Sequence, residues 1–128
     1  MKLLIDTHLL LWAAAQPERL PKAATDLMLA PENTLLFSAA SLWEIAIKAS
    51  LGREDFTVDA ARLRRGLVDN GYDELPISGA HALATRTLPP VHSDPFDRML
   101  VAQARAEACE LLTADRTLGA YGGSVRVV

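Results

Sequence analysis

The chain opens on a short apolar run, Lys2-Leu3-Leu4-Ile5, that stops at Asp6, the pattern of a buried strand entering a loop. Residues 7–15 then predict a helix. Pro21 stands where a first-turn proline belongs, so 22–30 predicts a second helix, closed by Pro31. Leu35-Leu36-Phe37, after Asn33-Thr34, predicts a second strand. Leu42, Ile45, Ala46 and Ala49 follow the i, i+3, i+4, i+7 rule, which predicts a helix from Ser38 to Gly52. Another helix is predicted over 59–68, with Leu63 and Leu67 inward and Arg62, Arg64 and Arg65 around them. Residues 75–77 predict a strand, and Ser78 caps a short helix through residue 83. A proline-marked loop covers 88–91. Asp94-Pro95 joins a capping acid to a proline at the first helical position, and Phe96, Met99, Leu100, Ala104 and Ala108 mark the buried face that follows. Strands are predicted at 110–113 and 124–128. Strands separated by helices require a parallel sheet with helices on both faces, so the expected fold is a three-layer α/β/α domain around a mostly parallel sheet.

Length and composition narrow this picture. The 128 residues suit one domain spanning 1–128, and with 50% hydrophobic residues a real core forms. Cys109 is the only cysteine, which excludes an internal disulfide and a cysteine-based metal knuckle. Asp6 and His8 break the apolar start too early for a signal peptide, and no run is long enough to span a bilayer, so a cytoplasmic location is expected. A net charge of −3 argues against a general nucleic-acid coat protein. It is compatible with an enzyme that gathers carboxylates around a divalent cation.

Four acids fall where an open α/β sheet binds its ligands, outside the carboxyl ends of the strands. Asp6 ends the first strand, and Glu44 lies in the first turns of the helix after the second. Asp97 is in the first turn of the Asp94-Pro95 helix, and Asp115 follows the 110–113 strand. Each has a plain structural reading beside the functional one. Asp6 could simply cap a helix, Ser41-x-x-Glu44 matches a capping box, and Glu44 to Lys48 is a favourable i, i+4 pair. Asp97 could complement a helix dipole, and Asp115-Arg116 could be an ordinary turn. Their shared placement is what singles them out. Carboxylates brought to ~4 Å repel by several kcal/mol even at an effective dielectric near 20. A divalent cation relieves that cost, oxygen ligands select Mg²⁺ or Mn²⁺, and the chemistry best served is phosphodiester hydrolysis.

Leu4-Ile5-Asp6-Thr7-His8 with Leu11-Trp12, the segment SAASLWEIAIK over 38–48, His92-Ser93-Asp94-Pro95-Phe96-Asp97-Arg98 and Leu112-Thr113-Ala114-Asp115-Arg116 together resemble the PIN-domain toxins of VapBC toxin–antitoxin modules. The resemblance runs through the whole chain in order, and the Asp-Pro-Phe-Asp-Arg block is its most specific part. It implies a PIN-type fold and an Mg²⁺- or Mn²⁺-dependent endoribonuclease. By position, Asp6, Glu44, Asp97 and Asp115 would be both the catalytic and the metal-binding acids, with Asp115 the most variable of them in the family. Thr113 falls where the family often has a hydroxyl near the site. The resemblance further implies an RNA substrate, a homodimer, and inhibition by a cognate VapB-type antitoxin. The alternative is a PIN-fold module that binds RNA or protein without catalysis. A haloacid-type phosphatase is disfavoured because His8 stands where it needs a second aspartate, and a receiver domain because no adjacent acids occur in the first loop.

Other residues carry less. His8 and His92 lack companion ligands for zinc, and hydrolysis by metal needs no separate imidazole base. His81 reads as structural and Cys109 as packing. Trp12 and Trp43 read as core or dimer-interface residues rather than base-stacking platforms. Arg62, Arg64 and Arg65 could meet RNA phosphates or remain a solvated face. Arg98 and Arg116, beside the acids, could grip phosphate or neutralise their neighbours.

Overall fold

A computed structural model describes residues 1–52 and 57–128. The strands are β1 (Lys2–Ile5), β2 (Thr34–Ser38), β3 (Asp73–Leu75), β4 (Glu110–Thr113) and β5 (Val125–Val127). The helices are α1 (Thr7–Ala15), α2 (Lys22–Leu29), α3 (Ala39–Ser50), α4 (Ala60–Asp69), α5 (Gly79–Ala84) and α6 (Pro95–Ala106). The strands form one sheet in the order β3-β2-β1-β4-β5, and every pairing is parallel. The expected α/β sheet is therefore present.

β1 lies at the centre with helices over both faces, so its residues read as an unbroken apolar run rather than an alternating one. Alternation instead divides the strand between two cores. Leu4 packs with Leu111, Leu100, Val101, Ala104 and Leu118 on one side. Leu3 and Ile5 pack with Leu9, Phe37, Ile45, Leu63, Leu67 and Leu112 on the other. As predicted, Leu63 and Leu67 are the inward residues of α4.

Side-chain caps start five of the six helices: Asp6 for α1, Ser38 for α3, Asp59 for α4, Ser78 for α5 and Asp94 for α6. At Asp6 and Ser38 the strand passes into the helix with no intervening loop. Such a junction places the cap and the first helical turn at the carboxyl edge of the sheet.

Several elements differ from expectation. β3 pairs Leu36 with Asp73 and Ser38 with Leu75, so it ends before Pro76, which has no N–H for the ladder, and Ile77 lies outside it. α3 buries Ala40, Ser41, Glu44 and Ile45, while Ala46 and Ala49 are exposed. Alanine scarcely distinguishes two helix faces, and polar contacts chose between them. Thr7 donates from Oγ1 to Ser41 Oγ at 2.8 Å across the α1–α3 contact. Ser38, not Ser41, caps α3, so the expected capping box is absent there. Ala108 lies beyond α6 with φ 53° and is exposed. Three 3-10 turns, Pro17–Arg19, Thr85–Thr87 and Arg116–Tyr121, carry no apolar period that could have announced them.

α3 and α6 are joined through a buried polar chain. Ser38 Oγ donates to Gln103 Oε1 at 2.5 Å, and Gln103 Nε2 donates to the Pro76 carbonyl at 3.3 Å. His81, read from the sequence as structural, is buried; it accepts the Ser78 N–H at Nδ1 and meets Glu107 Oε2 at 2.9 Å through Nε2. Gln103→Leu keeps the volume and leaves the Ser38 hydroxyl proton without its acceptor and the Pro76 carbonyl without its donor. It is expected to cost about 2–3 kcal/mol, read from urea unfolding. No helix among the described residues is long and apolar enough to cross a membrane.

Candidate active site

Chain order places the site. From β1 the sheet grows through β2 to β3, then the chain returns to lay β4 on the other side of β1. Open α/β sheets bind their ligands at such a reversal, beyond the carboxyl ends of the strands, here β1 and β4. Ile5 is paired with Leu112, so Asp6 and Thr113 emerge side by side.

Asp6 is 3% exposed, and both carboxylate oxygens are engaged. Oδ1 accepts the His8 N–H at 2.8 Å, and Oδ2 accepts the Thr113 hydroxyl at 2.7 Å. The same hydroxyl accepts the Asp115 N–H at 3.0 Å. Thr113 thus ties the first acid to the backbone of the last. The plain reading of Asp6 as a helix cap holds alongside its position in the cluster, because its two oxygens do different things.

Glu44 projects from α3 and is 6% exposed. Its Oε2 meets Lys48 Nζ at 3.1 Å, the anticipated i, i+4 pair. Its Oε1 is buried and has no hydrogen-bond partner among the described residues. A carboxylate oxygen seldom stays buried and unpaired, since desolvation is then uncompensated. Asp97, the third residue of α6, is pushed up to about 7, first by burial, then by the charges of Asp6, Asp94 and Glu44, with His92 opposing. Those couplings bring acids from β1, α3 and α6 into one field.

Asp115 is more open. Its Oδ1 accepts from the Thr117 N–H and hydroxyl at 3.0 and 2.7 Å, and the Thr117 hydroxyl is the chief cause holding its carboxyl below the usual range. His92 Nε2 stands 3.7 Å from both Asp97 Oδ2 and Asp115 Oδ2. One candidate ligand atom from each of these three residues lies within 4.8 Å of the others. His8 is raised above its ordinary value chiefly by hydrogen bonding to Asp6, against the opposing effect of burial.

Asp94 caps α6 as expected, accepting the Phe96 and Asp97 N–H groups at 2.8 and 3.2 Å. Arg98 does not face the acids. It donates to the carbonyls of Pro89, His92 and Thr85 and to the Tyr121 hydroxyl. Lys48 is instead the cation beside an acid, and Arg116 is exposed. Trp43 is 60% exposed, so its core reading is wrong. It lies edge-on to Phe96 with ring centroids 5.2 Å apart. Trp12 is half-buried beneath the Arg19 guanidinium, 4.9 Å from its centroid. Arg64 pairs with Glu74, a structural use of one residue of the basic cluster. Tyr121 had no sequence signal; it reaches the site only through contacts with loop residues far away in the chain.

A parallel α/β domain with carboxylates converging at its topological switch is the class these features define. The chain belongs to the PIN domain family, whose model matches residues 3–123. No curated protein sequence gives a match. Among solved structures, the chain is similar to one from VapBC2 of Rickettsia felis bound to a promoter DNA fragment, at TM-score 0.72 and 15% identity, covering 99% of this chain and 98% of that one. A chain of a toxin–antitoxin complex from Klebsiella pneumoniae matches at 0.64 and 20% identity, covering 97% and 95%. One from VapBC-1 of nontypeable Haemophilus influenzae matches at 0.63 and 18%, covering 94% and 92%. At these identities the likeness is one of fold.

Proposed function

We propose that this protein is a metal-dependent endoribonuclease acting as the toxin of a VapBC-type toxin–antitoxin pair. The observation that carries the reading is the unsatisfied charge of the acid cluster. Glu44 Oε1 is buried without a partner among the described residues, and Asp97 holds its proton to about 7 beside Asp6 and Glu44. Oxygens left in that state are matched to a hard divalent cation. Asp6, Glu44, Asp97 and Asp115 would hold Mg²⁺ or Mn²⁺ and serve as the catalytic acids. When bound, the ion supplies the charge that activates water and steadies the phosphate during in-line hydrolysis.

The chain's own residues set up that chemistry. Thr113 fixes the direction of Asp6 Oδ2, and the His8 N–H fixes Oδ1. Lys48 engages one oxygen of Glu44 and leaves the other without a partner among the described residues. The cap at Asp94 starts α6 so that Asp97 lies in its first turn. The fold shared with chains of VapBC complexes supports a VapB-type antitoxin as partner. A homodimer and a cytoplasmic location accompany the same reading.

The test is cleavage of total cellular RNA by antitoxin-free protein with Mg²⁺, with Mn²⁺ and with EDTA. Discrete metal-dependent fragments are expected. Folded protein that cleaves nothing with either metal would overturn the nuclease reading in favour of a binding module. Because a cation must displace the Asp97 proton, stabilisation by Mn²⁺ is also expected to grow from pH 5.5 to pH 8 in thermal melts.

A further inference from the structure

His92 is anchored more firmly than a surface loop residue requires. The Asp94 N–H donates to its Nδ1 at 3.1 Å. Its own N–H donates to the Tyr121 hydroxyl at 3.1 Å, and its carbonyl accepts from Arg98 Nη1 at 3.3 Å. Arg98 also bonds the Tyr121 hydroxyl at 3.2 Å and the carbonyls of Pro89 and Thr85, each at 3.1 Å. One buried-edge guanidinium therefore clamps the 88–93 loop to the Arg116–Tyr121 turn.

The clamp has a chemical consequence. With the Nδ1 lone pair occupied by the Asp94 N–H, a neutral ring carries its proton on Nε2. That N–H lies 3.7 Å from Asp97 Oδ2 and 3.7 Å from Asp115 Oδ2, beyond hydrogen-bond reach of either. The anchors hold the ring back from two carboxylates that would otherwise draw it in. Nε2 and one oxygen of each carboxylate nevertheless lie within 4.8 Å of one another.

A phosphate entering among carboxylates needs donors for its own oxygens. Lys48 is engaged by Glu44, and Arg98 is spent on carbonyls and a phenol. Resting on the nuclease reading above, we propose that His92 is a catalytic residue whose Nε2–H donates to a non-bridging oxygen of the RNA phosphate. It is not a metal ligand. Ligation through Nε2 would need the lone pair there, moving the proton to Nδ1 against the Asp94 N–H and breaking the bond that seats the ring. Arg98 and Tyr121 are positioning residues for it.

The test compares His92→Ala and His92→Gln with wild type in single-turnover RNA cleavage, in Mn²⁺ affinity by calorimetry, and in melting temperature. Nitrogen NMR of the wild-type ring is recorded with and without Mg²⁺. His92→Ala is expected to slow cleavage by about 10²-fold, the loss seen when one preorganised donor is removed. Its Mn²⁺ affinity stays at the wild-type value, and His92→Gln, which keeps an N–H donor, recovers part of the rate. The wild-type ring stays protonated at Nε2 when Mg²⁺ is added. Unchanged cleavage by His92→Ala, beside an active wild type, would overturn this inference alone. So would loss of Mn²⁺ affinity with a Mg²⁺-dependent shift at Nε2, which would make His92 a ligand. A wild type inactive with either metal would overturn the nuclease reading and this one with it.

Discussion

Asp97→Asn is expected to slow RNA cleavage by at least about 10²-fold while making the metal-free protein more stable at pH 8. The two effects share a cause. Burial and the neighbouring acids lift the Asp97 carboxyl from 3.8 to about 7. Between those values the folded state holds a proton that the unfolded state has lost, so stability falls as pH rises from 4 towards 7 and levels off above it. At most this amounts to about 4 kcal/mol, and solvent screening at the open side of the site reduces it to about 1–2 kcal/mol. The asparagine carries no charge and escapes the loss. Urea unfolding at pH 4, pH 5 and pH 8 reads it directly: the variant should lie close to wild type at pH 4, exceed it by a small margin at pH 5 and by the full margin at pH 8. In excess Mn²⁺ the order should invert, because only wild type then gains from the bound cation.

Asp6→Asn is expected to lose as much activity with a different stability signature. Its Oδ1 can still accept the His8 N–H, so the α1 cap survives. The other position changes from an acceptor to an amide donor facing the Thr113 hydroxyl, which already accepts the Asp115 N–H. The hydroxyl proton of Thr113, a fully buried residue, then has no acceptor. A cost of about 1–2 kcal/mol is expected. It should be visible at pH 5, where Asp97 is protonated and charge relief does not obscure it. A variant that equals wild type at pH 5 would show that the Thr113 link contributes nothing to stability. Two inactive variants with distinct pH profiles also separate lost chemistry from lost folding.

Much of the scaffold was legible because its signals are short-ranged. α1 and β4 have the predicted bounds, and Asp94-Pro95 starts α6 as cap and first-turn proline. Those signals involve neighbours within a few residues, where the backbone's own hydrogen bonding sets the terms. The candidate acids were located by equally local signals, Asp6 and Asp115 by the strands they follow and Glu44 and Asp97 by the starts of their helices. Where side chains compete over long distances, the reading failed. Ser41 fits a capping box by spacing, yet its hydroxyl is taken by Thr7, 34 residues earlier. Arg98 adjoins Asp97 in sequence but turns to carbonyls at Thr85 and Pro89. Trp43, an apolar residue on an amphipathic helix, is not core but lies in the open beside Phe96, which leaves its interface reading standing.

The order of strands and helices, the cap and first-turn proline of α6, and the acids that follow β1 and β4 were determined by the sequence alone. The tertiary structure decided that Glu44 keeps one buried oxygen unpaired among the described residues, that Thr113 joins Asp6 to Asp115, and that Arg98 and Tyr121 hold His92 short of two carboxylates. A cap or a helical period is settled by groups three or four residues apart. A carboxyl's charge and a ring's proton are settled by whatever the fold brings within a few ångströms.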